Sequence, residues 1–185
     1  MPTFEVEFRA VFDEQKHREL NSFLQEHGTD LGADDKRVWF FVMPDKLLKV
    51  THNTSRHTAK VTLKLTKIGH GSSFEEIEFV IPENEVATAV RLFTSLGHDY
   101  LLEPTILRHN FEFDGVEIAL KYSKSWGYHA ELEIVVDDMA KKPEAEHKIA
   151  EFAEKLGLTL MDDEELRAFT DQIEANYVHP EEAAS

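Results

Sequence analysis

The chain contains no cysteine. That excludes a disulfide framework and any thiolate metal site, and it suits a reducing, cytoplasmic setting. No long apolar run and no signal-peptide pattern occur, so neither membrane insertion nor export is expected. Cations are scarce: 20 Lys and Arg stand against 36 Asp and Glu, for a formal net charge of −16. Nucleic acid is therefore not an expected partner, because its binding depends on Lys and Arg neutralising phosphates. A small polyphosphate remains compatible, since a local cationic cavity or a bound metal dominates at short range. Part of the acidity lies in DDEEL and HPEEAAS near the C-terminus, a solvated helix start and a frayed end. With 42% hydrophobic and 30% charged residues, the composition is that of a single globular domain over residues 1–185.

What is present is alternation. FEVEFRA places Phe4, Val6 and Phe8 on one side of a strand and Glu5, Glu7 and Arg9 on the other. Asp13 then caps a helix to about residue 26, closed by Gly28. RVWFFVMP and LLKVTH are expected strands joined at Pro44 and Asp45. AKVTLKLTKI and FEEIEFVI form a hairpin turning at IGHGSS. Pro82 opens a helix that stops at Gly97. ILRHNFEF, VEIALKYS and HAELEIVV follow as strands, the first two joined at Asp114-Gly115, and helices are expected near 143–156 and 162–176. The expected architecture is α+β: about eight antiparallel strands closed into a β-barrel over residues 4–136, flanking helices, C-terminal helices over 143–177 and a tail at 178–185.

Three strands carry Glu-x-Glu: Glu5/Glu7, Glu76/Glu78 and Glu131/Glu133. Residues two apart in a strand share a side, so each pair sets two carboxylates on one face, opposite an apolar one. Cationic strands alternate in the same manner, with Lys60 and Lys64 on one face and with Lys49, Arg108 and Lys121 opposite apolar neighbours. On an exposed sheet this is an ordinary wet face. Turned inward, it is a polar cavity suited to a divalent metal plus polyphosphate, and periodicity does not say which face is inside.

The order of these motifs resembles the CYTH, or triphosphate tunnel metalloenzyme, family. The matching elements are Glu5-Val6-Glu7-Phe8-Arg9, LLKV, Thr62-Leu63-Lys64, Glu76-Ile77-Glu78, Arg108 and Gly127-x-x-x-Glu131-x-Glu133. The resemblance implies an eight-stranded tunnel that binds a triphosphate group with Mg²⁺ or Mn²⁺. It implies metal at Glu5, Glu7, Glu76, Glu78, Glu131 and Glu133, with Glu5, Glu7, Glu131 and Glu133 at the chemical centre. Substrate contacts would come from Arg9, Lys49, Lys60, Lys64, Arg108 and Lys121. The implied activity is metal-dependent hydrolysis of an inorganic or organic triphosphate by a monomer or homodimer. A non-catalytic polyphosphate-binding module is the alternative, and a class IV-type adenylate cyclase a third. Four positions depart from the family pattern: Arg9 stands for its Lys, Leu47 and Ile106 for basic residues, and Lys121 for an Asp near the metal.

Other candidates carry less. His52 and His57 flank NTSR in an expected loop, where they could contact phosphate together with Arg56. His129 is expected on the face away from Glu131, in the core or on the outer surface. GHGSS lacks the Lys and strand-to-helix context of a P-loop, and Ser123, Ser125 and the histidines do not define a triad. Trp39, Phe40 and Phe41 are expected in the core, with one aromatic available to stack on an organic group at the tunnel mouth.

Overall fold

The computed structural model describes residues 4–41, 43–65, 73–74 and 76–175. Its strands are β1 (Phe4–Val11), β2 (Thr29–Ala33), β3 (Lys36–Phe41), β4 (Leu47–Asn53), β5 (Thr58–Lys64), β6 (Ser73–Phe74), β7 (Glu76–Ile81), β8 (Tyr100–Phe113), β9 (Val116–Ser123) and β10 (Gly127–Val136). They form one sheet in the order β6-β1-β10-β9-β8-β3-β4-β5-β7, with β2 added on β8, and every pairing is antiparallel. The helices are α1 (Glu14–His27), α2 (Val86–Ser95), α3 (Lys142–Lys155) and α4 (Asp163–Ala175). The α+β tunnel expectation holds, with one correction of degree. The sheet curls until β7 pairs β5 while β6 pairs β1, but the β6–β1 seam consists only of Glu5↔Phe74 and Val6↔Ser73. Among the described residues this is a curled sheet narrowly joined at one seam, not a uniformly closed barrel.

Most apolar strand faces point outward, under helices, although Ile77 and Phe79 of β7 stay exposed. Val6, Phe111, Ile118, Leu120 and Leu132 are buried with Leu20 and Leu24 of α1 and with Ile149 and Phe152 of α3. A second cluster joins Phe41, Leu48, Val50 and Val61 to Val86, Val90 and Phe93 of α2. Where the helices cover the apolar faces, the alternating polar side chains have only the lumen to face.

Local chemistry places the helices. The Asp13 carboxylate accepts from the Lys16 backbone N–H at 2.8 Å, an N-cap. At the other end of α1 the chain turns tightly at Gly28, where a Cβ would lie 2.9 Å from the Leu24 carbonyl oxygen and 3.2 Å from that of Glu112. The β8–β9 turn uses Asp114 and Gly115 at φ 55 and 70, as the sequence requires of a two-residue hairpin. At the start of α4, Asp162 and Glu165 cap each other reciprocally, N–H to carboxylate, at 2.8 and 3.0 Å.

Some elements differ from expectation. β2 was not expected, because TDLGA has no apolar alternation and its register shifts between Asp30 and Gly32. β8 begins at Tyr100, six residues before the expected strand. Its pairing with β3 steps from Ile106 to Glu103, so Pro104 falls within the bulge, where its missing N–H costs no ladder bond. The helix after Pro82 opens as a short 3₁₀ turn, Glu83–Glu85, before α2. The expected IGHGSS turn lies outside the described residues.

Candidate active site

The inward face encloses a cavity of about 670 Å³. Eleven of the sequence-derived candidates line it: Glu5, Glu7 and Arg9 from β1, Lys49 from β4, Lys60 and Lys64 from β5, Glu76 from β7, Arg108 from β8, Lys121 from β9, and Glu131 and Glu133 from β10. Glu78 is the exception. It pairs at the rim with Lys60 at 2.6 Å and accepts from the Thr62 hydroxyl at 3.1 Å.

The lumen has two electrostatic regions. In the acidic one, Glu5, Glu7 and Glu133 each bring a carboxylate oxygen within 4.8 Å of the others. Burial, reinforced by Glu5, Glu7 and Glu117, pushes the Glu133 carboxyl up to about 8. Burial and the Glu76 charge also raise Glu5. Lys64 offsets this region in part, at 2.8 Å from Glu76 and 3.8 Å from both Glu5 and Glu7. Three converging carboxylates, one of them held protonated by burial and by its acidic neighbours, form an oxygen donor set for a hard divalent cation such as Mg²⁺ or Mn²⁺. The donor set therefore fits such an ion.

The basic region surrounds Glu131. Lys121 Nζ lies 2.8 Å from its Oε1, Arg9 Nε 3.3 Å from the same oxygen, and Arg108 Nη1 3.0 Å from Oε2. These cations hold the Glu131 carboxyl well below the usual carboxylate range although burial opposes them. Arg9 also pairs with Glu7 and lies 5.8 Å from the Trp126 ring centroid. Lys49 has no ion pair among the described residues. Burial, with Lys64 nearby, pulls its ammonium down to about 8.

Several lining residues were missed by sequence reasoning. Asp34 pairs with Lys36 at 2.7 Å, Arg56 at 3.3 Å and Arg108 at 3.4 Å. Lys36 stands two and four residues before Val38 and Phe40 on the lumen face of β3, an alternation that KRVWFF contains. Arg167 and Asp171 reach the cavity from α4, and no strand pattern signals them. Phe40 lines the lumen and Trp39 packs outward against the α2 cluster, while Phe41 is buried in that cluster and also borders the cavity.

Two histidine expectations are corrected. His129 lines the lumen with Glu131, because residues two apart in a strand share a face. It is buried, its Nδ1 is 3.0 Å from the Gly127 carbonyl oxygen, and burial holds its pKa down to about 3. His52 lies within β4 rather than in a loop and meets Glu83 at 2.6 Å, with His57 at 3.6 Å from the same oxygen. Neither His52 nor His57 lines the cavity, whereas Arg56 does.

Comparison with known proteins agrees with this geometry. The CYTH domain model matches residues 4–165. Among solved structures, the PH1012 protein of Pyrococcus horikoshii is similar at 21% identity, covering 84% of this chain and 91% of that one, with a TM-score of 0.68. A conserved hypothetical protein of Pyrococcus furiosus is similar at 25% identity, with coverage of 84% and 91% and a TM-score of 0.67. A putative adenylyl cyclase of Hippeastrum, described as having a dominant triphosphatase activity, shares the fold at 14% identity, coverage of 85% and 89% and a TM-score of 0.61. No curated protein matches by sequence. The chain belongs to the CYTH domain family.

Proposed function

We propose that the chain is a metal-dependent phosphohydrolase that acts on triphosphate compounds inside the tunnel. The observation that carries this reading is the joining, in one cavity, of the Glu5/Glu7/Glu133 carboxylate trio to the cations Arg9, Lys49, Arg108 and Lys121. Glu5, Glu7 and Glu133 would hold the divalent ion, which when bound supplies Lewis-acid charge to phosphate oxygens. Lys49 is the first cation available to an incoming phosphate, since no carboxylate lies within 4.0 Å of it among the described residues. Arg9 and Arg108 stabilise charge spread over the equatorial phosphoryl oxygens. Lys64 and Glu76 hold each other in the wall beside them, and Lys60 with Glu78 lines the approach. Water attacks the terminal phosphorus in line, the P–O bond to the bridging oxygen breaks, the diphosphate moiety leaves on that oxygen, and the proton lost by the water passes to solvent or to the released phosphate.

The lumen is not charged throughout. Val38, Phe40, Leu47 and Leu101 line it as well, and the cavity volume falls in the range used for organic ligands of drug size. This supports an organic triphosphate as substrate ahead of the inorganic ion. A cysteine-free chain suits a cytoplasmic enzyme, and no helix among the described residues is long and apolar enough to cross a membrane.

Phosphate release from tripolyphosphate, thiamine triphosphate and nucleoside triphosphates, each with Mg²⁺, Mn²⁺ or chelator, tests the reading. Release that requires metal is expected; equal release in chelator contradicts it. The cations already committed to Glu131 favour one second reading, a binding module. Binding by calorimetry without phosphate release from any of these compounds would select it.

A further inference from the structure

We propose that Lys121 locks Glu131 into an ion cluster that excludes divalent cations, and so limits the tunnel to one metal ion, at Glu5, Glu7 and Glu133. This rests on the metal reading above, and it separates two carboxylates that the sequence presents as equivalent. Glu131 and Glu133 lie two residues apart on the same face of β10, and both line the cavity. Their surroundings are opposite. Glu133 has no cation within 4.0 Å among the described residues, and it stands across the ladder from Glu7 on one side and Glu117 on the other. Glu131 has three cations on its two oxygens.

Of those three, Lys121 is the dedicated one. Arg9 is shared with Glu7. Arg108 is shared with Asp34 at 3.4 Å and Glu117 at 4.0 Å. Lys121 has Glu131 alone within 4.0 Å among the described residues, at 2.8 Å. Its position is fixed by register: Lys121 pairs with Arg108 on β8 and with His129 on β10. A buried ammonium cannot retreat to water without leaving the carboxylate uncompensated. A dication approaching Glu131 would meet this ammonium and two guanidiniums at contact range in a poorly screened lumen. At Glu133 it meets no cation within 4.0 Å among the described residues; Lys64 and Arg9 stand behind Glu5 and Glu7 instead. Lys121 is thus a positioning residue: it acts on metal number through Glu131.

Mn²⁺ binding to the full chain, counted by electron paramagnetic resonance of the free ion and by calorimetry, tests this without reference to turnover. Wild type should bind one ion per chain, and Lys121→Asp should bind two. Lys121→Arg should stay at one, which separates loss of charge from loss of packing. Thermal melting checks that each variant is folded; if Lys121→Asp is not, Lys121→Gln, which keeps a hydrogen-bond donor and removes the charge, should show the second ion in its place. Two ions on wild type, or one on the folded charge-removing variant, overturns the proposal. No ion on wild type overturns the metal reading itself.

Discussion

Glu7 of β1 and Glu133 of β10 stand directly opposite each other in the antiparallel ladder, with both side chains turned into the tunnel. Like charges so placed repel, and here burial adds to the cost. The result is a carboxyl that ionises only near pH 8 in the metal-free protein. A structural tunnel gains nothing from this arrangement; a cation site does.

The first prediction is a stability minimum near pH 8 without metal. Between pH 6.5 and 8 folded Glu133 retains a proton that an unfolded carboxyl, of pKa 4.5, has lost. The native state then binds more protons, so stability falls as pH rises, by up to about 1.4 kcal/mol per pH unit. From 4.5 to 6.5 this is offset by His129, whose pKa is about 3 in the fold against 6.5 unfolded. Above 8 the sign reverses, because Lys49 and Lys121 have lost protons in the fold while unfolded lysines, of pKa 10.5, keep theirs. Urea midpoints at pH 6.5, 8 and 10 in chelator should trace this minimum, and Glu133→Gln should abolish the fall toward pH 8. A steady rise through pH 8 in wild type would contradict the assignment.

Metal should flatten the same curve. Binding favours ionised carboxylates, so Mn²⁺ releases a proton from Glu133 below pH 8 and its affinity rises with pH toward that value. Calorimetry in buffers of different ionisation enthalpy reads the released proton directly. A pH-independent affinity between 6 and 8 would place the ion elsewhere.

Arg9 joins the two regions, pairing with Glu7 and Glu131 while itself buried. Arg9→Ala leaves two buried carboxylates short of a partner and should cost about 3–5 kcal/mol in urea unfolding. Arg9→Lys should recover part of that stability but weaken triphosphate binding, since an ammonium cannot bridge two carboxylates as the guanidinium fork does.

Phe40→Ala removes an aromatic side from the lumen wall. KM for an organic triphosphate should rise by about tenfold, as expected for an apolar contact of one to two kcal/mol, while tripolyphosphate kinetics stay unchanged. An equal loss for both substrates would place the organic group away from this wall. By contrast, Phe111, fully buried on the outer face, should cost about 3–5 kcal/mol on change to Ala without altering metal number.

The fold was legible in the sequence where alternation was strong. β1, β5, β9 and β10 follow FEVEFRA, AKVTLK, VEIALKYS and HAELEIVV, and the Asp13 cap and the Asp114-Gly115 turn lie where turn and cap chemistry require. The inward direction of the charged faces was not legible from period alone; it follows from α1, α2 and α3 covering the other side. β2 was hidden because Gly32 and its bulge replace alternation. His129 was legible and was misassigned, since a period of two fixes its face with Glu131. The different roles of Glu131 and Glu133 leave no trace in a Glu-x-Glu motif. They depend on Arg9, Arg108 and Lys121, which arrive from three other strands.

In the proposed function the Glu5/Glu7/Glu133 trio makes this tunnel a metal-dependent triphosphatase. The most direct test is the initial rate of phosphate release from an organic triphosphate, with Mn²⁺ and with chelator, for wild type and for Glu133→Gln at matched thermal stability. Wild type should release phosphate only when metal is present, and the variant under neither condition. Equal release by both proteins, or release by wild type that persists in chelator, would contradict it.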